Sequence, residues 1–262
     1  MFHHHKPYRI GLALSGGGAR GFAHAVAIKA INEFGIYPNI IAGVSAGSVV
    51  SVFYAAGIDP EDMVEAFAEQ RFTDLCKWNV PKTGFFSLER FADLVVNTAR
   101  YTLIDDLPIP TVICATDMDH GIPVAFESGA IGPRVAASCS IPIIFDPVTI
   151  DGVRYLDGGL LHNLPAWAIR DRCDILIGLN CSSVRKRPYR NSLLDIAHAS
   201  YNITIKSNVK EDLELCDIAV DMQEISDYKT FNIRDIRTVF QQGYEITRRK
   251  LIEVGLPEPP QT

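Results

Sequence analysis

The chain has 262 residues, 47% of them apolar and 21% charged, which excludes a disordered polypeptide. A core of that size folds without disulfides or structural metal. The 25 basic and 31 acidic residues leave a net charge of −6, which argues against nucleic acid as a partner.

In chain order, Met1-Phe2-His3-His4-His5-Lys6 has no apolar run behind it, so no secretory signal is expected. Tyr8–Leu14 reads as a strand and runs into Ser15-Gly16-Gly17-Gly18. Residues 19–34 turn helical, with Lys29, Asn32 and Glu33 on one face, and Gly35 is the expected stop. Residues 36–44 form a second strand and 46–56 a second helix. Strand–helix–strand–helix is the pattern of a parallel sheet covered by helices. Residues 40–58 carry no charge and reach bilayer length, but Gly43, Gly47, Gly57, Ser45, Ser48 and Ser51 make them a poor spanning helix. A buried strand turning into a buried helix is the better reading.

Further along, Ser87 is placed to cap a helix whose Leu88, Phe91, Leu94 and Val95 share a face. Residues 111–116 and 174–180 are short apolar runs suited to buried parallel strands. A last long helix is expected over 234–254, with Ile236, Val239, Phe240, Tyr244, Thr247 and Leu251 on one stripe. Cys76, Cys114, Cys139, Cys173, Cys181 and Cys216 form no CxxC pair and read as small buried hydrophobes in a reducing compartment. No composition shift marks a boundary, so one α/β domain over 1–262 is expected.

Three glycine-rich segments carry the chemistry. Gly43-Val44-Ser45-Ala46-Gly47 is a GxSxG sequence where a strand ends and a helix begins. A serine on such a sharp turn projects its hydroxyl off the sheet, and flanking glycines let neighbouring backbone approach. Gly16-Gly17-Gly18-Ala19-Arg20-Gly21 exposes consecutive backbone N–H groups to an anion. Phe22-Ala23 follow where a P-loop needs Lys-Ser or Lys-Thr. The dinucleotide fingerprint fits the glycines, but no acidic residue ends the second strand to bind a ribose. An oxyanion hole beside the serine is the remaining reading. Asp157-Gly158-Gly159 offers a carboxylate base or a plain turn, and His24, His120, His162 and His198 are candidates for completing a Ser-His-Asp triad.

The three segments, in this order and spacing, resemble the patatin-like phospholipase family, as does Ala136-Ala137-Ser138-Cys139-Ser140-Ile141-Pro142-Ile143-Ile144-Phe145. The resemblance spans about residues 8–180. It implies a three-layer α/β/α fold with a mainly parallel sheet and a Ser-Asp dyad without histidine. Ser45 would be the nucleophile and Asp157 its base. The N–H groups of Gly17 and Gly18, with Gly16 and Ala19 as further candidates, would hold the oxyanion, and Arg20 would brace their loop. Gly21, Gly43, Gly47, Gly158 and Gly159 would support these positions. The resemblance implies acyl esters of glycerolipids as substrates, hydrolysed through an acyl-enzyme with no metal, cofactor or nucleotide. The setting expected is cytoplasmic, with transient contact at a membrane surface.

Residues 181–255 are expected to be a helical C-terminal part and 256–262 a Pro-rich tail. Arg185-Lys186-Arg187-Pro188-Tyr189-Arg190 suits anionic headgroups or a solvated loop. Phe72, Leu75, Trp78, Phe85 and Phe86 suit an apolar cap over an acyl chain, or core. Other readings stay open: an acyltransferase using the same acyl-enzyme, a low-turnover lipid-binding or regulatory protein, and a dinucleotide-binding protein.

Overall fold

The computed structural model describes residues 6–68, 77–78, 84–183, 192–227 and 236–259. The strands are β1 (Tyr8–Leu14), β2 (Ile40–Val44), β3 (Lys77–Trp78), β4 (Gly84–Ser87), β5 (Thr111–Asp117), β6 (Ile122–Phe126), β7 (Ile143–Phe145), β8 (Val148–Ile150), β9 (Val153–Asp157), β10 (Cys173–Asn180) and β11 (Ile218–Asp221). The helices are α1 (Ala23–Glu33), α2 (Ala46–Ala55), α3 (Pro60–Ala68), α4 (Glu89–Ala99), α5 (Ile131–Cys139), α6 (Ala166–Ile169), α7 (Leu193–Glu214) and α8 (Ile236–Glu253). The histidines at 3–5, Cys76, the 185–190 basic run, Phe72 and Leu75 lie outside the described residues.

The main sheet runs β11-β10-β1-β2-β5-β9-β8, with β6 also paired to β5. Its central strands are parallel, from β11 through β10, β1 and β2 to β5. Alternation along each strand sends side chains to opposite faces. Leu12, Leu14, Ile41, Ile113, Ile177 and Leu179 join one apolar cluster with α1, α2, α4, α5 and α8. Ala13, Ile40, Ala42, Val44, Val112, Cys114 and Leu176 join another with α6, Val209 and Leu213. Helices therefore cover both faces, giving the expected α/β/α layering. β3, β4 and β7 form a separate three-stranded sheet.

Local signals mostly land where expected. Gly35 adopts φ +73° after α1, and Ile36 N–H reaches Ile31 O at 3.2 Å while Gly35 N–H reaches Asn32 O at 2.9 Å, a Schellman stop. The 40–58 apolar run divides into β2 and α2, and among the described residues no helix is long and apolar enough to cross a membrane. Ser87 Oγ accepts from Glu89 N–H at 3.3 Å as α4 begins. Among the described residues Cys114, Cys139, Cys173, Cys181 and Cys216 form no disulfide, and the first four are buried. Two differences stand out. The first helix opens with a 3₁₀ turn over Gly18–Phe22 before α1 begins. The C-terminal part is not wholly helical, because β11 adds an edge strand beside β10.

One feature of the pairing matters most for function. Along β5, residues 111–114 pair with β2 and 115–117 with β9, while β6 pairs across 113–117. A strand has two edges, so β6 takes one and β2 and β9 lie end to end along the other. β2 is parallel to β5 and β9 antiparallel, so their C-terminal ends meet head to head. Val44 is paired with Cys114 and Asp157 with the next residue, Ala115.

Candidate active site

Ser45 follows Val44 at the β2–α2 junction with φ +52° and ψ −126°, a backbone state that costs a non-glycine residue about 1–3 kcal/mol. Neighbours hold it there. Ser45 N–H donates to Ser138 Oγ at 2.8 Å, and the Ser138 hydroxyl donates to Cys114 O at 2.7 Å. Ser45 O accepts from Ser48 N–H at 2.9 Å and Ser48 Oγ at 2.6 Å. The flanking glycines answer to close packing: a Cβ at Gly43 would lie 2.3 Å from Gly47 O, and one at Gly47 would lie 2.4 Å from Leu14 O.

Asp157 closes β9 and is fully buried. Its Oδ1 accepts from Gly159 N–H at 2.8 Å. Among the described residues no donor meets Oδ2 in hydrogen-bond geometry, although the hydroxyls of Tyr201 and Ser45 lie close enough to favour the charged form. Burial outweighs the Gly159 N–H and both hydroxyls and raises the carboxyl to about 6. Tyr201, from α7, is itself pushed well above its usual value by burial and the Asp157 charge, so it stays protonated.

The glycine loop crosses the carboxyl end of β1. Gly16 N–H donates to Asn163 O at 3.0 Å, which commits it to the scaffold. Gly17 and Gly18 lead into the 3₁₀ turn, whose first amides have no partner within the turn. Gly18 takes φ +58°. Arg20 is 4% exposed and braces the loop, donating from Nη1 to Ser183 O at 2.7 Å and from Nε to Gly17 O at 3.5 Å. Gly21 packs on α2, where a Cβ would meet Ala46 Cβ at 2.4 Å. A Cβ at Gly158 would meet Cys114 O at 2.7 Å.

The triad candidates have other neighbours. His24 is buried beneath the loop, its Nε2 2.9 Å from Ser15 O and 3.3 Å from Cys181 Sγ. His120 Nδ1 lies 2.8 Å from Asp117 Oδ2, and His162 Nδ1 lies 2.8 Å from the buried Asp212 Oδ2. His198 sits on α7 with Asn202 Nδ2 3.4 Å from its ring nitrogens.

Three site residues escape sequence reasoning. Ser138, in the small-residue helix, holds the Ser45 amide; Asn163 lies under Gly16; Tyr201 comes from a helix without a motif. For Asn163 the signal was its place six residues after Asp157, ahead of Leu164-Pro165.

Comparison with known proteins adds kinship to this geometry. An uncharacterised NTE family protein of Mycobacterium bovis is 31% identical over 202 residues, 76% of this chain and 56% of the relative. Lysophospholipase NTE1 of Kluyveromyces lactis is 32% identical over 187 residues, 68% of this chain and 13% of the relative. The chain thus spans about half the length, or less, of these curated relatives. The crystal structure of VipD from Legionella pneumophila superposes with a TM-score of 0.54 over 94% of this chain and 67% of that one, at 13% identity, a likeness of fold alone. The profile of the patatin-like phospholipase family matches residues 12–169, a span holding the glycine loop, the serine turn and Asp157. By that match the chain belongs to the patatin-like phospholipase family.

Proposed function

We propose that the chain hydrolyses carboxylic esters of lipids through a Ser45–Asp157 dyad. The observation that carries this reading is the head-to-head meeting of β2 and β9, which sets a strained serine beside a buried carboxylate. Asp157 takes the Ser45 proton as Oγ attacks the acyl carbon. Its raised value suits the task, since a carboxylate near the usual ~3.9 is a weak base for a hydroxyl. The Gly17 and Gly18 amides, with Ala19 behind them, face the developing oxyanion. Two such donors contribute several kcal/mol, on the order of 2.7–4 for each. With Gly16 N–H held by Asn163, the donor set narrows to residues 17–19. Asp157 passes the Ser45 proton to the departing alcohol oxygen as the carbon–oxygen bond breaks, which leaves Ser45 acylated, and water then releases the fatty acid.

The test is Ser45→Ala, assayed on lysophospholipid and p-nitrophenyl esters beside fluorophosphonate labelling of both proteins. Hydrolysis and labelling should both vanish while thermal unfolding is unchanged. A variant that still turns over at more than a few per cent of wild type has another nucleophile.

A further inference from the structure

Asn163 is fully buried and held on three sides. Its N–H donates to Asn208 Oδ1 at 3.1 Å, its C=O accepts from Gly16 N–H at 3.0 Å, and its Nδ2 donates to Gly16 O at 3.5 Å. That last contact orients the amide and leaves Oδ1 as a buried acceptor which, among the described residues, no donor reaches. Oδ1 fills the side-chain space of two motif glycines. A Cβ at Gly16 would lie 2.6 Å from Oδ1 and 3.1 Å from Ser45 Cβ. A Cβ at Gly159 would lie 2.7 Å from Oδ1, 3.2 Å from Asp157 Oδ1 and 2.4 Å from Tyr201 Oη. Asn163 Oδ1 therefore lies within about 6 Å of both Ser45 Cβ and Asp157 Oδ1.

Among the described residues, then, two buried acceptors near Ser45, Asn163 Oδ1 and Asp157 Oδ2, have no donor in full hydrogen-bond geometry, although the Tyr201 and Ser45 hydroxyls lie close to the Asp157 carboxylate. Each costs about 1–3 kcal/mol if left unmade, so such pairs are kept where a donor arrives. In the free enzyme the Ser45 hydroxyl lies against Asp157 beside that of Tyr201. Acylation removes the Ser45 proton, because an ester oxygen carries no hydrogen, and leaves only the Tyr201 hydroxyl there. The acyl-enzyme then presents two acceptors to whatever enters next, and a water molecule carries two O–H groups.

We propose that Asn163 Oδ1 and Asp157 Oδ2 together seat the water that deacylates Ser45. The inference rests on the dyad reading above. The water oxygen attacks the acyl carbon, one proton passes to Asp157, and the other O–H remains bonded to Asn163. The carbonyl electron pair moves to the oxygen held by the loop amides. As the carbonyl re-forms, the bond from carbon to Ser45 Oγ breaks, Asp157 returns its proton to Oγ, and a carboxylic acid leaves.

The experiment uses the full chain, p-nitrophenyl butyrate and methanol as a competing nucleophile. Methanol has one O–H, which goes to Asp157, and none for Asn163. In Asn163→Ala the p-nitrophenol burst should stay within about 3-fold of wild type while steady-state turnover falls at least ~10-fold and KM falls with it. Intact mass should show butyryl-Ser45 accumulating, and the ratio of methyl ester to free acid should rise by about 10-fold. If burst and turnover fall together at an unchanged product ratio, Asn163 only holds the glycine loop and the proposal is overturned. Wild-type kinetics in the variant overturn it as well. Should Asn163→Ala fail to fold, Asn163→Ser, whose hydroxyl falls short of the Oδ1 position, is read by the same ratio. A butyryl group mapped to a residue other than Ser45 removes the dyad itself. A butyryl-Ser45 enzyme with an unmoved ratio removes only the role of Asn163.

Discussion

The Asp157 side chain couples catalysis and stability in opposite directions. In the proposed dyad only the carboxylate can accept the Ser45 proton, so kcat/KM should climb as pH rises through about 6. The folded carboxyl titrates above the unfolded one, near ~3.9, so between these values the folded state holds a proton the unfolded state has released. Its stabilising contribution is complete below ~4 and is lost as pH rises through about 6. Asp157→Asn should therefore abolish hydrolysis yet unfold at higher temperature than wild type at about pH 8, by on the order of 2–3 kcal/mol. The advantage should disappear below about pH 4. Equal melting temperatures at about pH 8 would mean that water reaches this carboxylate in solution. At this scale the sequence exposes Ser45, because a strand–turn–helix pattern and two glycines mark it locally. Ser138 is hidden, since it meets Ser45 across 93 residues of chain with no local pattern to record the meeting, and the place of Asn163 after Asp157 says nothing of Gly16, which it meets across 147.

Elements position the loop through helix packing, and two helical glycines report on it with opposite sign. Gly132 in α5 has room: a Cβ would lie 3.4 Å from Val96 Cγ2 and 3.7 Å from Ala92 Cβ, ordinary contacts. Gly132→Ala should be neutral or stabilise by about 0.5–1 kcal/mol through helix propensity. Gly243 in α8 has none, because a Cβ would lie 2.7 Å from Ala23 O at the start of α1. Gly243→Ala should cost about 1–3 kcal/mol despite the same propensity gain. It should also slow hydrolysis, since α1 follows directly on the glycine-loop turn and α8 packs against both. The check is paired thermal melts and initial rates; a Gly243→Ala enzyme as stable and active as Gly132→Ala would show that the crossing has slack. Legibility tracks periodicity here. β1, β2, α2, β5 and β10 were readable as continuous apolar runs. α7 was not, because Leu193, Ile196 and Ile203 point outward while Tyr201 and Ile205 point inward, leaving no single stripe. The three-residue β7 and β8 are too short to show alternation.

For the whole molecule, the site is assembled from both ends of the chain. All three motif segments lie inside the family match, and the pairing of β2, β5 and β9 brings the two residues of the proposed dyad together. Yet Tyr201 and Asn208 reach the Asp157–Gly159 turn from α7, with Asn208 Nδ2 donating to Gly159 O at 2.9 Å. Asn208 also holds the Asn163 amide. The C-terminal third further covers the sheet and α1 with Val220, Met222, Ile225, Val239, Ile246 and Leu251, each at most 7% exposed. Losing the burial of such side chains forfeits about 1.5–3 kcal/mol apiece. Six of them together match or exceed a typical net stability of about 5–15 kcal/mol. A chain ended after Ser183 keeps every glycine motif, Ser45 and Asp157, so motif content alone predicts activity, whereas this packing predicts collapse of the fold. The shortened chain should show no cooperative thermal transition by circular dichroism and no fluorophosphonate labelling of Ser45. Labelling at the full-length rate would show that α7, β11 and α8 are dispensable to the site, and that the Asn208 and Tyr201 contacts carry no functional weight.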